Sequence, residues 1–349
     1  MTAKIPQIHR YLKKTQLINR PGMSGKIAVV GAFDSLETEP QLFATVGEAQ
    51  DTFGTDTTYN GCAVIPYLFR GASSVLAVNI TTESSGTRSK TITTANLTSA
   101  LAKIKNEDWD ILFVADVLTD DFIPIINSCM AERFELTYPS GYTGALGGAT
   151  VSANVTSAGL VNDFCYGLNT QAFTLDDGTE LSVLLSTAYY TGLIAGMNVG
   201  NTFTMKTVDG VSGVSPELSF ETGGNGKALL EAGILTVRCA DRSNNRFLVV
   251  NSEQPNGFDL YINRTRDFVC KEFQLHEFLG RRNREATLDE IKQELSRVEM
   301  LCVDTLDLLE DINYDVVKKN ANCVDVYIDS LTFAGIITEI DVYVKVEVI

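Results

Sequence analysis

Gly25-Lys-Ile-Ala-Val-Val-Gly31 and Val75-Leu-Ala-Val-Asn-Ile80 decide the fold class. Both are short apolar runs bounded by glycine, serine or threonine, the pattern of a strand buried on both faces. Between them, Val46-Gly-Glu-Ala-Gln-Asp-Thr-Phe-Gly54 reads as a short helix stopped by Gly54, and Cys62 to Phe69 as a second helical stretch. Gly71-Ala-Ser-Ser74 then leads into the second strand. Strand, helices, strand is the crossover unit that joins parallel strands, so the expected class is mixed α/β.

Downstream, residues 81–100 are a Ser/Thr-rich loop running into a helix. Trp109-Asp-Ile-Leu-Phe-Val-Ala-Asp116 is another buried strand, and Asp121 to Arg133 a helix. From Glu135 the composition turns to Gly, Thr, Ser and Ala. Residues 135–180 are read as a β-rich or irregular region inserted in the α/β frame. Ser182 to Ala195 returns to helix, Gly223 to Ala232 is a shorter one, and Ile234 to Arg238 a strand. In the last third, Asp267 to Leu279 and Thr287 to Leu301 read as helices. Thr287-Leu-Asp-Glu290 has the form of a capping box, followed by Ile291, Leu295, Val298 and Cys302 at helical spacing. Val324 to Leu331 is a strand.

The two ends stand apart. The first 24 residues carry a basic stretch, Ile5 to Lys14, in an acidic protein. Pro6 and Pro21-Gly22 oppose a long helix there, and Ile5, Ile8, Tyr11 and Leu12 form no helical face. The reading is an extended arm, with a disordered leader as the alternative. At the other end, Ile340-Asp-Val-Tyr-Val-Lys-Val-Glu-Val-Ile349 alternates strictly. Ile340, Val342, Val344, Val346 and Val348 share one face, and Asp341, Tyr343, Lys345 and Glu347 the other. Such a strand must pair, either inside its own domain or with a neighbouring subunit. The expected division is an N-terminal arm at 1–24, the first part of an α/β domain at 25–134, the β-rich region at 135–180, the rest of the core at 181–335, and a C-terminal arm at 336–349.

With 349 residues and 44% hydrophobic content, the chain can build a large core, and its 21% charged fraction is not that of a disordered protein. A net charge of −16 and a pI near 4.6 argue against direct binding to nucleic acid or to an anionic membrane. The seven cysteines form no Cys-x-x-Cys pair, and buried free thiols in a reducing cytoplasm fit them best. No apolar run approaches the ~20 residues of a membrane helix, and the N-terminus lacks a signal-peptide core.

Candidate chemistry is sparse. The two histidines, His9 and His276, lie in unrelated contexts, with no Gly-x-Ser-x-Gly elbow and no metal-ligand spacing. Gly25 to Gly31 lacks the Gly-x-Gly-x-x-Gly fingerprint, and no Gly-x-x-x-x-Gly-Lys-Ser/Thr loop occurs; Gly31 is read as easing a turn after the strand. No catalytic residue, metal or cofactor is expected. The acidic run Asp304, Asp307, Glu310, Asp311, Asp315 reads as a solvated helix face or an electrostatic contact surface. Arg281-Arg-Asn-Arg284 is a compact basic cluster, either a solvated loop or a docking point for an acidic partner, since arginine pairs bidentately with carboxylates.

Several segments, in order and spacing, resemble contractile tail sheath proteins. Ala188-x-x-x-Gly192-x-Ile-Ala-Gly196 is followed by Thr202-Phe-Thr-Met-Lys-Thr-Val-Asp-Gly-Val211. Ala228-Leu-Leu-Glu-Ala-Gly-Ile-Leu235 is similar to the family's Leu-Leu, Gly-Ile element, and Arg264-Thr-Arg-Asp267 to its Arg-Thr-x-Asp segment. Phe278-Leu-Gly-Arg-Arg-Asn283 with Thr287 to Lys292 resembles the lead into its last helix. Gly25 to Gly31, Phe53-Gly54 and Val75 to Val78 fit as well. The resemblance runs from about Gly25 to Ile349 with residues 135–180 unmatched, and the chain is short for the family.

The resemblance implies an assembly protein with no enzymatic activity. It implies a subunit that stacks in six-fold rings as a helical homopolymer around an inner tail tube protein, in contact with baseplate and tail terminator proteins, in a virion tail or tail-like particle. It implies exchanged arms, placing Ile5, Ile8, Tyr11 and Leu12 in the N-terminal contact and Val342, Val344, Val346 and Val348 in the C-terminal one. It implies a tube-facing helix, placing Arg281, Arg282, Arg284 and Lys292 at the inner tube. The competing expectations are another virion structural protein, such as a baseplate or capsid component, and an α/β enzyme.

Overall fold

The computed structural model describes residues 25–135, 139–244, 246–273, 278, 281–320 and 323–333. They fall into two compact units divided between Glu272 and Phe273.

The larger unit is built on a six-stranded sheet. Strands β1 (Lys26–Gly31), β2 (Gln41–Phe43), β3 (Ser74–Asn79), β6 (Ile111–Leu118), β7 (Gly141–Leu146) and β8 (Cys165–Asn169) lie in the order β2-β3-β1-β6-β7-β8. All neighbours run parallel except the short edge strand β2. The expected α/β class is what the chain adopts. Helices α1 (Val46–Phe53), α2 (Asn60–Leu68), α3 (Thr94–Ile104), α4 (Phe122–Glu135) and α5 (Val151–Ala158) make the connections, and β1 and β3 are buried beyond their first residues. Gly54 ends α1 at φ +81°, donating its N–H to Gln50 O, as a helix-stopping glycine should. A small exposed hairpin, β4 (Thr82–Ser84) with β5 (Thr87–Ser89), turns at Ser85-Gly86, both at positive φ.

Residues 135–180 are rich in strand, but β7 and β8 continue the parallel sheet instead of leaving it as an insertion. Composition hid this because the strands carry glycine where large neighbours need space. A Cβ on Gly141 would collide with the Tyr166 ring, one on Gly144 with Leu118, and one on Gly167 would lie 2.8 Å from the Tyr190 ring.

Beyond β9 (Ala172–Leu175) comes α6 (Val183–Gly196), capped by the Ser182 hydroxyl on Leu185 N–H and packed against α2, β6, β7, β8 and β9. Two antiparallel pairs follow, β9 with β10 (Val211–Ser215), and β11 (Val237–Asp241) with β12 (Arg246–Val249). Helices α7 (Asn225–Glu231) and α8 (Leu260–Glu272) complete the unit. One continuous apolar core runs through it from Ile27 to Leu260. Helix α8 starts before Asp267, where it was expected. Asp259 supplies the start: its carboxylate accepts from Tyr261 N–H at 3.0 Å and from the hydroxyls of Ser252, Thr202 and Thr204.

Close backbone approach is the recurring device. Gly192 of α6 lies against the carbonyls of Tyr67 and Leu68 at the end of α2, and Gly71 against Gly192 and Gly196. Gly31 is small for packing, not for a turn, because its missing Cβ would sit 2.7 Å from Ala115 Cβ and 3.2 Å from Gly61 Cα. Gly192→Ala is therefore expected to destabilise the fold by about 1–3 kcal/mol through overpacking. Gly47→Ala, on the exposed face of α1 with nothing nearer than Thr45 Oγ1 at 4.0 Å, should be neutral or stabilise by up to about 1 kcal/mol. Urea unfolding of both variants checks the contrast; equal effects would remove the packing argument.

Candidate functional site

The smaller unit carries the candidate inner-tube residues. Its described part is helix α9 (Glu285–Glu299), a π-helical turn at Met300–Thr305, and the hairpin β13 (Asp311–Asn320) with β14 (Cys323–Thr332). Leu288, Ile291, Leu295 and Val298 form one buried stripe of α9, which packs on β13, where Ile312 and Val316 are also buried. Cys302 and Leu309 are buried as well.

Two expectations fail here. The acidic run is not one helical face: Asp304 lies in the π-helical turn, while Asp311 and Asp315 lie in β13. Leu309, Ile312 and Val316 share the spacing of a helix stripe, and only the alternation Ile312, Tyr314, Val316 marks the strand. The capping box also does not form. Thr287 donates its hydroxyl to Arg282 O at 2.8 Å, Glu290 pairs with Arg281, and Arg284 occupies the cap without a side-chain bond. The groups that would close the box are thus committed elsewhere.

Arg281, Arg282, Arg284 and Lys292 are all exposed. Arg281 is held by Glu290 and stacks over the Phe278 ring at 4.8 Å. Arg282, Arg284 and Lys292 have no ion-pair partner among the described residues. Asn283, which sequence reasoning passed over, fixes this loop: its Nδ2 donates to Asn320 O at 2.8 Å and Cys323 O at 3.4 Å, joining the basic loop to the tip of the hairpin. A lone asparagine between arginines gave no signal of that role.

The hairpin is ten residues long on each strand. Among the described strands, β13 and β14 pair only with each other. A register shift between Asn313 and Tyr314 leaves Asp329 as the extra residue of β14. Val317 and Tyr327, on the face opposite Val316, are 42% and 50% exposed. Among the described residues, one helix covers one face of this two-stranded sheet and no further strand pairs with either edge, a geometry suited to an added strand. The arm residues Ile5, Ile8, Tyr11 and Leu12, and Val342, Val344, Val346 and Val348, lie outside the described residues, as do both histidines. No cluster of three or more His, Cys, Asp or Glu side chains placed to hold a metal occurs among the described residues.

No protein-family model matches the chain, and no curated protein matches it. Solved structures do. A sheath tail protein of Desulfitobacterium hafniense superposes at a TM-score of 0.68 with 12% identity, covering 94% of this chain and 98% of that one. The fold is that of the sheath tail proteins. A sheath tail protein of Listeria innocua gives 0.65 at 12% identity over 90% of this chain and 95% of that one. The helical sheath of the anti-feeding prophage, in its contracted state, gives 0.64 at 12% identity over 99% of each chain.

Within this sheath fold, the glycines of the Ala-x-x-x-Gly-x-Ile-Ala-Gly segment bring α6 against the end of α2 (Gly192) and the turn after it (Gly196 on Gly71). The Arg-Thr-x-Asp segment also gains a physical role. Arg264 is buried and donates to Met197 O at 3.0 Å and Asn198 O at 3.3 Å, closing the end of α6. Asp267 accepts from Tyr166 Oη at 2.6 Å and from Arg266 Nε at 2.9 Å, tying α8 to β8. Burial raises the Asp267 carboxyl above its usual range, against the pull of Arg266 and Tyr166. Since Arg282 and Arg284 make no ion pair among the described residues, Arg282→Glu with Arg284→Glu should leave thermal stability within about 0.5 kcal/mol of the parent. A larger loss by calorimetry would mean that they serve the fold.

Proposed function

We propose that the chain is the structural subunit of a contractile tail sheath, with no enzymatic activity. It polymerises in six-fold rings as a helical array around an inner tail tube, between baseplate and tail terminator proteins, and contracts to drive the tube through a target envelope. The observation that carries this reading is likeness over nearly the whole chain to a sheath in an assembled, contracted helix. The hairpin β13–β14 supports it, because among the described residues no strand pairs with either of its edges.

In this reading the N-terminal segment with Ile5, Ile8, Tyr11 and Leu12, and the C-terminal strand with Val342, Val344, Val346 and Val348, add to the sheet of a neighbouring subunit. The subunits then repack as near-rigid bodies while the exchanged strands keep the lattice connected. New contact between subunits supplies the driving free energy. The basic loop with Arg281, Arg282, Arg284 and Lys292 faces the inner tube. The particle is a virion tail or tail-like assembly.

Electron microscopy of the purified protein over a range of concentrations, with and without its tail tube, tests the proposal. Hollow tubes with a helical repeat are expected, and uniform small particles even with tube present would reject it. Removing residues 340–349 should leave a folded subunit by circular dichroism that no longer polymerises; full tubes from the truncated chain would sink the arm assignment. Arg282→Glu with Arg284→Glu should weaken sheath–tube binding and flatten its salt dependence, and unchanged co-assembly would remove the tube contact.

A further inference from the structure

Two carboxylates hold both places where the chain passes into and out of the described part of the larger unit. Lys26, the first residue of β1, pairs its ammonium with Asp108 and donates its backbone N–H to Asp110 Oδ2 at 3.3 Å. Its carbonyl accepts from the Asp110 N–H at 2.9 Å. Lys271, in the last turn of α8 and one residue before the unit ends, reaches the same two groups: Asp108 Oδ1 at 2.8 Å and Asp110 Oδ1 at 3.0 Å. Asp110 is well buried, its side chain 11% exposed, and directly precedes the central strand β6.

The charges reinforce one another. Burial opposes the Lys271 ammonium, but Asp110 and Asp108 outweigh it and hold its pKa well above the usual lysine range. Burial likewise opposes ionisation of Asp108, yet Lys271 and Lys26 hold its carboxyl down at about 2. A network that shares its carboxylates is worth more than isolated surface pairs, because each lysine keeps the acids in place for the other.

We propose that Asp108 and Asp110 form a latch fastening the N-terminal entry and the α8 exit to one point of the sheet. Tension between the two segments then passes through the shared carboxylates ahead of β6. Without the latch it would peel β1 from its first residue or unwind α8 from its last turn. The sheath reading supplies the source of that tension, since subunits joined by exchanged arms pull on these segments.

Amide hydrogen exchange on the full chain tests the latch directly. Asp108→Asn should speed exchange about tenfold or more at both residues 26–28 and residues 268–272, while the middle of β6 and the β13–β14 hairpin keep their parent rates. Acceleration at only one site, at neither, or uniformly through the sheet would overturn the proposal. Lys26→Gln and Lys271→Gln give a second route should the aspartate variant fail to fold. Each must loosen its own segment and, through the shared carboxylates, the other to a lesser degree; strictly local effects from both would overturn it too. The exchange result stands or falls without tubes, so a protein that forms none would reject the sheath reading alone. If tubes form, those of Asp108→Asn should fragment on contraction.

Discussion

The larger unit depends on backbones that touch. Gly31 of β1 meets Gly61 of α2, and the far end of α2 at Tyr67 and Leu68 meets Gly192 of α6, with Gly71 set against Gly196. Sheet, α2 and α6 are thus stacked at distances that exclude a Cβ at these glycines. A helix buried this completely must satisfy its own polar side chains, and α6 does so by turning hydroxyls back on itself. Ser186 donates to Ser182 O, Thr187 to Val183 O and Thr191 to Thr187 O. The helix therefore sits in the core at close range without an unpaired group at those three positions.

Buried charge is used in the same economical way, to close chain ends. Arg133 is fully buried and donates to the carbonyls of Lys105, Glu107 and Trp109 at 2.6, 2.9 and 3.0 Å, while its guanidinium lies 3.5 Å over the Trp109 ring. Burial lowers its pKa to about 10, which still leaves it charged at neutral pH. Arg264 does for the end of α6 what Arg133 does for the end of α3. In both cases backbone carbonyls at and just beyond a helix end offset part of the desolvation cost of a buried arginine.

These features mark the boundary of what could be read from the residues alone. Apolar runs such as Ile27 to Val30 and Ile111 to Val114 announce buried parallel strands, and Ser182 and Gly54 announce helix ends, because each signal is local. The strands β7 and β8 were illegible as sheet members, since their glycines are set by Tyr166, Leu118 and Tyr190, residues distant in sequence or on other elements. Strand β13 was hidden for the opposite reason: its apolar positions mimic helical spacing when taken together with Leu309. Asn283, Asp108 and Arg133 act through partners 24 to 163 residues away, so no window of sequence exposes them. At the basic loop, the arginines were visible as a cluster, but that Arg281 is spent on Glu290 was not.

The two units are unequally self-sufficient, and that inequality bears on how such a subunit would work. The larger one encloses a core continuous from Ile27 to Leu260 and pairs its parallel strands on both sides, except β8 at the sheet edge. The smaller one, in its described part, has one amphipathic helix over a two-stranded sheet, an arrangement of marginal stability by itself. An unpaired strand edge exchanges hydrogen bonds with water at little net cost, so it tolerates isolation, yet it gains from any strand that excludes that water. On the sheath reading, assembly free energy would therefore draw on β13 and β14, whose strands pair only with each other among the described residues. A subunit divided this way can change its packing against neighbours without disturbing its own core, because the bonds that tie it to the lattice are not the bonds that fold it.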